Sequence, residues 1–263
     1  MSTTIQGRET IRVVTEGRTA VVTLDRPPLN VLDLPMMREL ARALTTVTPG
    51  CDFVVFQGAG SKAFSAGAEV SDHTPDRIAA MLGAFHGVFR QLSRVNCITI
   101  AAVHGHCLGG GMELATFCDF VVATESAQFG QPEIKLGCFP PIALITLPQL
   151  VGMRAALDLI LTGRTISARE AKELGLVTRV VADDTLAYAV EALLDELGRL
   201  SPAVLRLSRR ALGRAWGKGS QEEFERQLGE MEQFYLGELM RTEDAREGVR
   251  AFLEKRTPVW KGR

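Results

Sequence analysis

The chain has 263 residues, 46% of them hydrophobic, enough to bury a substantial core, and its formal net charge of −1 leaves no electrostatic footprint for nucleic acid. Its five cysteines, Cys51, Cys97, Cys107, Cys118 and Cys138, are odd in number and form no CxxC pair, which argues against a disulfide framework. The opening MSTTIQGRET is polar with no apolar h-region, and no apolar run reaches bilayer-spanning length, so the expectation is a cytoplasmic protein with no membrane association.

Ile11 to Thr15 and Thr19 to Leu24 cluster β-formers around the turn Glu16-Gly17-Arg18, the pattern of a hairpin. Asp25 to Asp33 contains Pro27 and Pro28 and reads as a stiffened loop, whose plainest role is a connector. Leu34 to Val47 sets Met37, Leu40, Ala41 and Leu44 at helical spacing. Asp52 to Gln57 predicts a buried strand, and Ser61 to Glu69 a turn of small residues where backbone can face a ligand. Pro75 to Leu92 predicts a helix with Ile78, Met81, Leu82, Phe85, Val88 and Phe89 on one face.

Ile98 to Val103 predicts a further strand, Met112 to Cys118 a helix, and Phe120 to Ala123 a strand. Pro140 and Pro141 open another helix, Ala155 to Leu161 forms one more, Ser167 to Leu174 a short capped one, and Leu176 to Val181 a strand. From Asp183 on, Arg, Glu, Leu and Ala dominate and helix follows helix. Strands alternating with helices predict an α/β protein with mainly parallel pairing, in which units of strand, strand and helix recur without an exact repeat. The expected division is a β/α core over residues 1–190 and a helical region over 191–263.

The chemistry concentrates between Val95 and Gly137. Gly109, Gly110 and Gly111 follow an apolar strand and lead into a helix, and Glu113 is the only formally charged residue between Val95 and Cys118. A lone carboxylate on an apolar helix is costly to bury without a role or a partner. Glycines without Cβ let backbone N–H groups approach a ligand at a helix N-terminus, where negative charge is favoured. Glu133 follows in a QPE turn. By itself it reads as a solvated turn residue paired with Lys135, but beside Glu113 and two small-residue turns it completes a two-carboxylate acid/base site next to an oxyanion hole. The glycines lack the GxGxxG spacing of dinucleotide binding. His104, His106 and Cys107 have no second ligand cluster, which leaves no metal site, and no GxSxG elbow is present.

These residues resemble the enoyl-CoA hydratase/isomerase (crotonase) superfamily. The likeness runs through RPPLNVLD, SKAFSAGAEV, AAVHGHCLGGGMELATFCD, QFGQPEIKLG, LTGRTISAREAKELGLVTRVV and EDAREGVRAFLEKRTPVWKG, nearly the whole chain. The resemblance implies a crotonase-like spiral of ββα units with a C-terminal helical trimerisation region, a homotrimer or homohexamer, and an acyl-CoA substrate. Coenzyme A then arrives as part of the substrate, with no separate cofactor and no metal.

Carried across by motif, the oxyanion-hole amides fall on Ala68 and Gly110, and the two hydratase glutamates on Glu113 and Glu133. Coenzyme A is expected against Arg26, Leu29, Lys62 and the Ala66 backbone, with Trp260 and Lys261 reaching a neighbouring subunit's ligand. Ser71 replaces a basic residue that is often found there, and Cys138 to Ile145 replaces a glycine-rich loop. SAGAEVSDHTPD with QPEIKLGCFPP looks most like the cyclohexa-1,5-diene-1-carbonyl-CoA hydratases of aromatic degradation. The expected activity is therefore hydration of a conjugated acyl-CoA double bond, with Phe139, Ile142 and Leu144 narrowing the acyl pocket. A generic short-chain enoyl-CoA hydratase, a double-bond isomerase and a non-catalytic CoA-binding homologue are the alternatives.

Overall fold

The computed structural model describes residues 10–47, 50–215 and 221–263, which excludes nearly all of the polar opening stretch. Among the described residues, ten strands form two sheets. The larger has the order β1 (Ile11–Glu16), β2 (Thr19–Leu24), β3 (Phe53–Gly58), β5 (Ile98–Val103), β7 (Phe120–Thr124), β10 (Arg179–Val181). The β1–β2 hairpin is antiparallel, and every other pairing in this sheet is parallel. Its central strands read as continuous apolar runs because both faces are covered. Phe53, Val55, Ile98 and Ile100 pack beneath α6 (Leu186–Gly198), while Val54, Phe56, Ala101 and Val103 join the main core on the other face.

The second sheet has the order β4 (Ala63–Ser65), β6 (His106–Leu108), β8 (Gln128–Gly130), β9 (Thr165–Ser167), and only its β8–β9 pair is antiparallel. Each strand has three residues, too few for a period of two to register in sequence. The two sheets complete the recurring unit: β3, β4 and α2 (Ile78–Arg94), then β5, β6 and α3 (Gly110–Phe117), then β7, β8 and α4 (Pro141–Thr162). Every unit thus delivers a turn at the end of a short strand, and the functional groups sit on those turns.

Two expectations change. Residue 190 lies inside α6, whose Val190, Leu193 and Leu197 are buried on the large sheet, so the spiral runs past the expected division. The 22-residue α4 is long and apolar enough for a bilayer by length and composition, contrary to the sequence expectation. It is broken at Gly152 (φ 78°, ψ 159°), and each half buries core residues, Ile142 and Leu147 before the break and Leu159 and Ile160 after it. Neither half alone has the length to span a bilayer. The C-terminal helices α7 (Pro202–Ala215), α8 (Gln221–Gly237) and α9 (Glu243–Leu253) complete the chain. α8 lies on α2 and α4, and α9 on the 3-10 turns Val70–His73 and Pro132–Leu136, so this region folds back over its own core.

Candidate active site

The loop Asp25 to Asp33 is a clamp rather than a simple connector. Buried Asn30 (φ 50°) donates from Nδ2 to the Ala59 and Ala63 carbonyls at 2.9 and 2.8 Å, and its Oδ1 accepts from Arg26 N–H. Its own carbonyl accepts from Ser65 Oγ, which accepts from Gly67 N–H in turn. Leu32 then brackets the next turn, donating to the Gly67 carbonyl and accepting from Glu69 N–H. Gly67 adopts φ +94°, where a Cβ would stand 2.9 Å from the Leu108 carbonyl and 3.1 Å from Gly110 N. Ala68 is fixed by this backbone lattice, directly beside the start of α3.

The three glycines each answer a different crowding. At Gly109 (φ +52°) a Cβ would sit 2.5 Å from Glu133 Oε1, and at Gly110 it would strike the Phe85 ring at 2.8 Å. At Gly111 it would collide with the Ser65 carbonyl, so α3 packs directly on β4. The Cβ position on Gly110 lies 3.5 Å from Ala68 N. Gly110 opens α3, where an N–H has no intrahelical acceptor. The Ala68 amide nitrogen therefore lies close to Gly110 at the N-terminus of α3.

Glu113 follows one turn later. It is only 2% exposed, and its Oε1 accepts from Ala143 N–H at 2.8 Å. Pro141, at a position that needs no amide hydrogen, starts α4 and aims its first-turn amides at this carboxylate. Burial still dominates and pushes the Glu113 carboxyl up to about 7, against the opposite pull of the Ala143 and Ile142 amides. Glu133, in the turn Pro132–Leu136, is partly exposed as a residue, but its Oε2 is sealed from solvent and has no hydrogen-bond partner among the described residues. Burial first, and the Glu113 charge second, raise its carboxyl well above the ordinary range. Two such neighbours do not both ionise readily. The negative charge favours Glu113, which faces the α4 amides.

Both carboxyls open into one narrow cavity of about 30 Å³, bounded also by Ala68, Gly110, His73, Met81, Leu82, Phe85, Phe139, Pro140, Pro141 and Tyr235. Of the three side chains expected to narrow it, Phe139 does. Ile142 instead is fully buried in the core and Leu144 packs against it, because α4 turns both away. His73, whose Nδ1 lies 3.0 Å from the Glu69 carbonyl, and Tyr235 carry no motif that marks them in the sequence. Tyr235 is 102 positions from Glu133 and reaches the site only because α8 folds back.

The expected CoA contacts are dispersed. Arg26 is engaged with Asp33 and Glu69, each at 3.4 Å, and with the Val31 carbonyl, while Ala66 N–H donates to Leu29 O. The backbone of Leu29 and Ala66 thus joins the clamp to the turn, with exposed Lys62 at its outer end. Trp260 and Lys261 are exposed, and Lys261 pairs with Glu243 at 2.7 Å at the start of α9. Among the described residues no cluster of metal-ligating side chains occurs.

The spiral of ββα units, with two buried carboxyls on one cavity beside Ala68 and Gly110, has the architecture of the crotonase class. The chain belongs to the enoyl-CoA hydratase/isomerase family, whose profile matches residues 15–263. A probable enoyl-CoA hydratase of Mycobacterium tuberculosis is 38% identical over 95% of this chain and 97% of its own length. The cyclohexa-1,5-dienecarbonyl-CoA hydratase of Thauera aromatica is 38% identical over 94% of this chain and 95% of its own. The crystal structure of an enoyl-CoA hydratase from Mycobacterium avium subsp. paratuberculosis matches with a TM-score of 0.84 at 26% identity, covering 96% of this chain and 98% of that one.

Proposed function

We propose that the enzyme hydrates a compact, conjugated enoyl-CoA thioester, with cyclohexa-1,5-diene-1-carbonyl-CoA, named for the Thauera relative, as the leading candidate. The observation that carries this reading is the pair of buried carboxyls with unequal proton affinity in one cavity. The thioester oxygen lies between the Ala68 and Gly110 amides, which stabilise the negative charge that develops on it. Ionised Glu113 takes a proton from water as the water oxygen bonds to the alkene carbon, and protonated Glu133 delivers its proton to the carbon next to the carbonyl. An isomerase needs only one proton shuttle, so the second carboxyl favours hydration.

Phe139 and Tyr235, packed edge to face with centroids 4.8 Å apart, help bound the cavity, which favours a flat ring or short chain over a long one. The Arg26–Leu32 loop and Lys62 are assigned to the CoA portion, and Trp260 and Lys261 to a neighbouring subunit's ligand. Exposed Val204, Leu207 and Leu212 on α7 support an assembly of copies, a trimer or hexamer, which light scattering measures directly. The decisive experiment compares kcat/KM for cyclohexa-1,5-diene-1-carbonyl-CoA, crotonyl-CoA and a ten-carbon enoyl-CoA, with product mass. A gain of one water on the compact substrates is expected. An unchanged mass with shifted absorbance means isomerisation, and a preference for the ten-carbon chain overturns the compact pocket.

A further inference from the structure

α8 brings one polar side chain into the catalytic cavity. Tyr235 is 1% exposed, and its phenol oxygen is buried with no hydrogen-bond partner among the described residues. The Cys138 thiol beside it is a weak partner and is turned to the Leu136 carbonyl at 3.5 Å. Folded proteins leave few buried hydroxyls unpaired, because the lost hydration is not recovered. Packing against Phe139 alone would be served equally by phenylalanine, which carries no such cost.

Glu133 Oε2 is a second buried, unpartnered atom on the same cavity. The cavity volume of about 30 Å³ exceeds the minimum that one water molecule requires, and Glu113, Glu133 and Tyr235 supply the polar partners that such a water needs. Burial, with smaller contributions from Cys138, Glu133 and Glu113, holds the phenol well above its ordinary range, so it stays protonated. The ring is also held from outside. Glu232, three residues earlier on α8, accepts from Arg90 at 2.8 Å and meets His86 Nδ1 at 2.7 Å, both on α2.

We propose that Tyr235 is a catalytic residue whose hydroxyl, together with Glu133 Oε2, holds the oxygen added to the substrate alkene. The proposal rests on the hydration reading above. Tyr235 O–H donates to the water oxygen, one water hydrogen points to Glu133 Oε2, and the other passes to ionised Glu113. The water's lone pair forms the C–O bond, and the alkene π pair moves onto the thioester oxygen held by Ala68 and Gly110. Collapse of that enolate takes the Glu133 proton to carbon. Glu113 ends protonated, Glu133 ends ionised, and the Tyr235 O–H stays on the new hydroxyl oxygen, its own protonation unchanged.

Tyr235→Phe keeps the ring and removes only the hydroxyl. Loss of one hydrogen bond to reacting groups predicts a roughly 10- to 100-fold fall in kcat, with KM within about threefold and Tm within about 2 °C of wild type. A binding measurement separates this role from packing. The Kd of 3-hydroxybutyryl-CoA should weaken about tenfold in Tyr235→Phe, while that of butyryl-CoA, which lacks the hydroxyl, stays unchanged. Wild-type kcat in the variant, or equal weakening for both ligands, overturns the assignment of Tyr235 alone. A wild-type enzyme that hydrates none of the thioesters overturns the hydration reading and this one together.

Discussion

Two regions build the cavity by opposite means. The turns Gly67–Ala68 and Gly109–Glu113 belong to the spiral, where a carbon added at a glycine collides with a neighbouring carbonyl, with Glu133 or with the Phe85 ring. α8 is a polar helix whose only buried residues are Phe224, Leu228 and Tyr235. It is fastened to α2 largely by charge, through Arg90 to Glu225 at 2.9 Å and to Glu232 at 2.8 Å. The glycine wall leaves no room for an added side-chain carbon. The side-chain-built wall is adjustable, and pH and ionic strength act on it.

The largest effects should come from the carboxyls that the spiral positions. Glu113→Gln and Glu133→Gln keep the shape, and each is expected to lower kcat by roughly a thousandfold or more with thioester affinity retained, measured by steady-state kinetics and calorimetry. A raised carboxyl is comfortable in the folded state below its unfolded value of 4.5, and its contribution to stability declines as pH rises through the folded value, about 7 for Glu113. The Tm of Glu113→Gln should therefore match wild type near pH 4 and exceed it at pH 8. Wild-type kcat/KM should rise through about pH 7 as Glu113 ionises, then fall at higher pH as Glu133 loses its proton.

Next comes the backbone wall itself. Gly110→Val drives a branched side chain toward Phe85 and Ala68 N, so activity should fall by roughly a hundredfold or more, with a loss of several degrees in Tm. A folded, fully active variant would remove Gly110 from the oxyanion hole. On the adjustable side, Phe139→Ala opens the wall beside Tyr235. It should raise the ten-carbon to four-carbon kcat/KM ratio by roughly tenfold without a comparable loss on the short substrate.

The smallest effect concerns the charged fastening. Glu232→Gln should lower Tm by roughly 3–6 °C and kcat by about threefold, and added salt should narrow the difference from wild type. Burial holds the His86 imidazole below its ordinary range, with Glu232 pulling the other way. The unfolded imidazole gains a proton near 6.5 and the folded one resists it, so this contribution is intact above that pH and fades as pH falls below it. His86→Gln should flatten the decline of Tm between pH 7 and 5. An unchanged slope would remove His86 from the fastening.

The sequence alone determined the parts of this enzyme that are written locally. The hairpin, the amphipathic α1 (Leu34–Val47), the proline-opened α4, and the glycine turns flanking Ala68 and Glu113 all follow from side-chain period, ring geometry or a missing Cβ within a few residues. The QPE turn after the next apolar run marked Glu133, although no local rule fixes its company with Glu113. Tertiary structure decided the rest. The second sheet consists of three-residue strands that exist only as partners of one another. Asn30 looks like an ordinary loop residue until its amide meets Ala59 and Ala63. Ile142 and Leu144 carry the same apolar character as Phe139, and only the turn of α4 sends them into the core. Tyr235 enters the cavity because a helix a hundred residues away docks on α2 through Arg90 and Glu232. A side chain's environment is a sum over neighbours brought together by folding, and that sum is absent from any short stretch of chain.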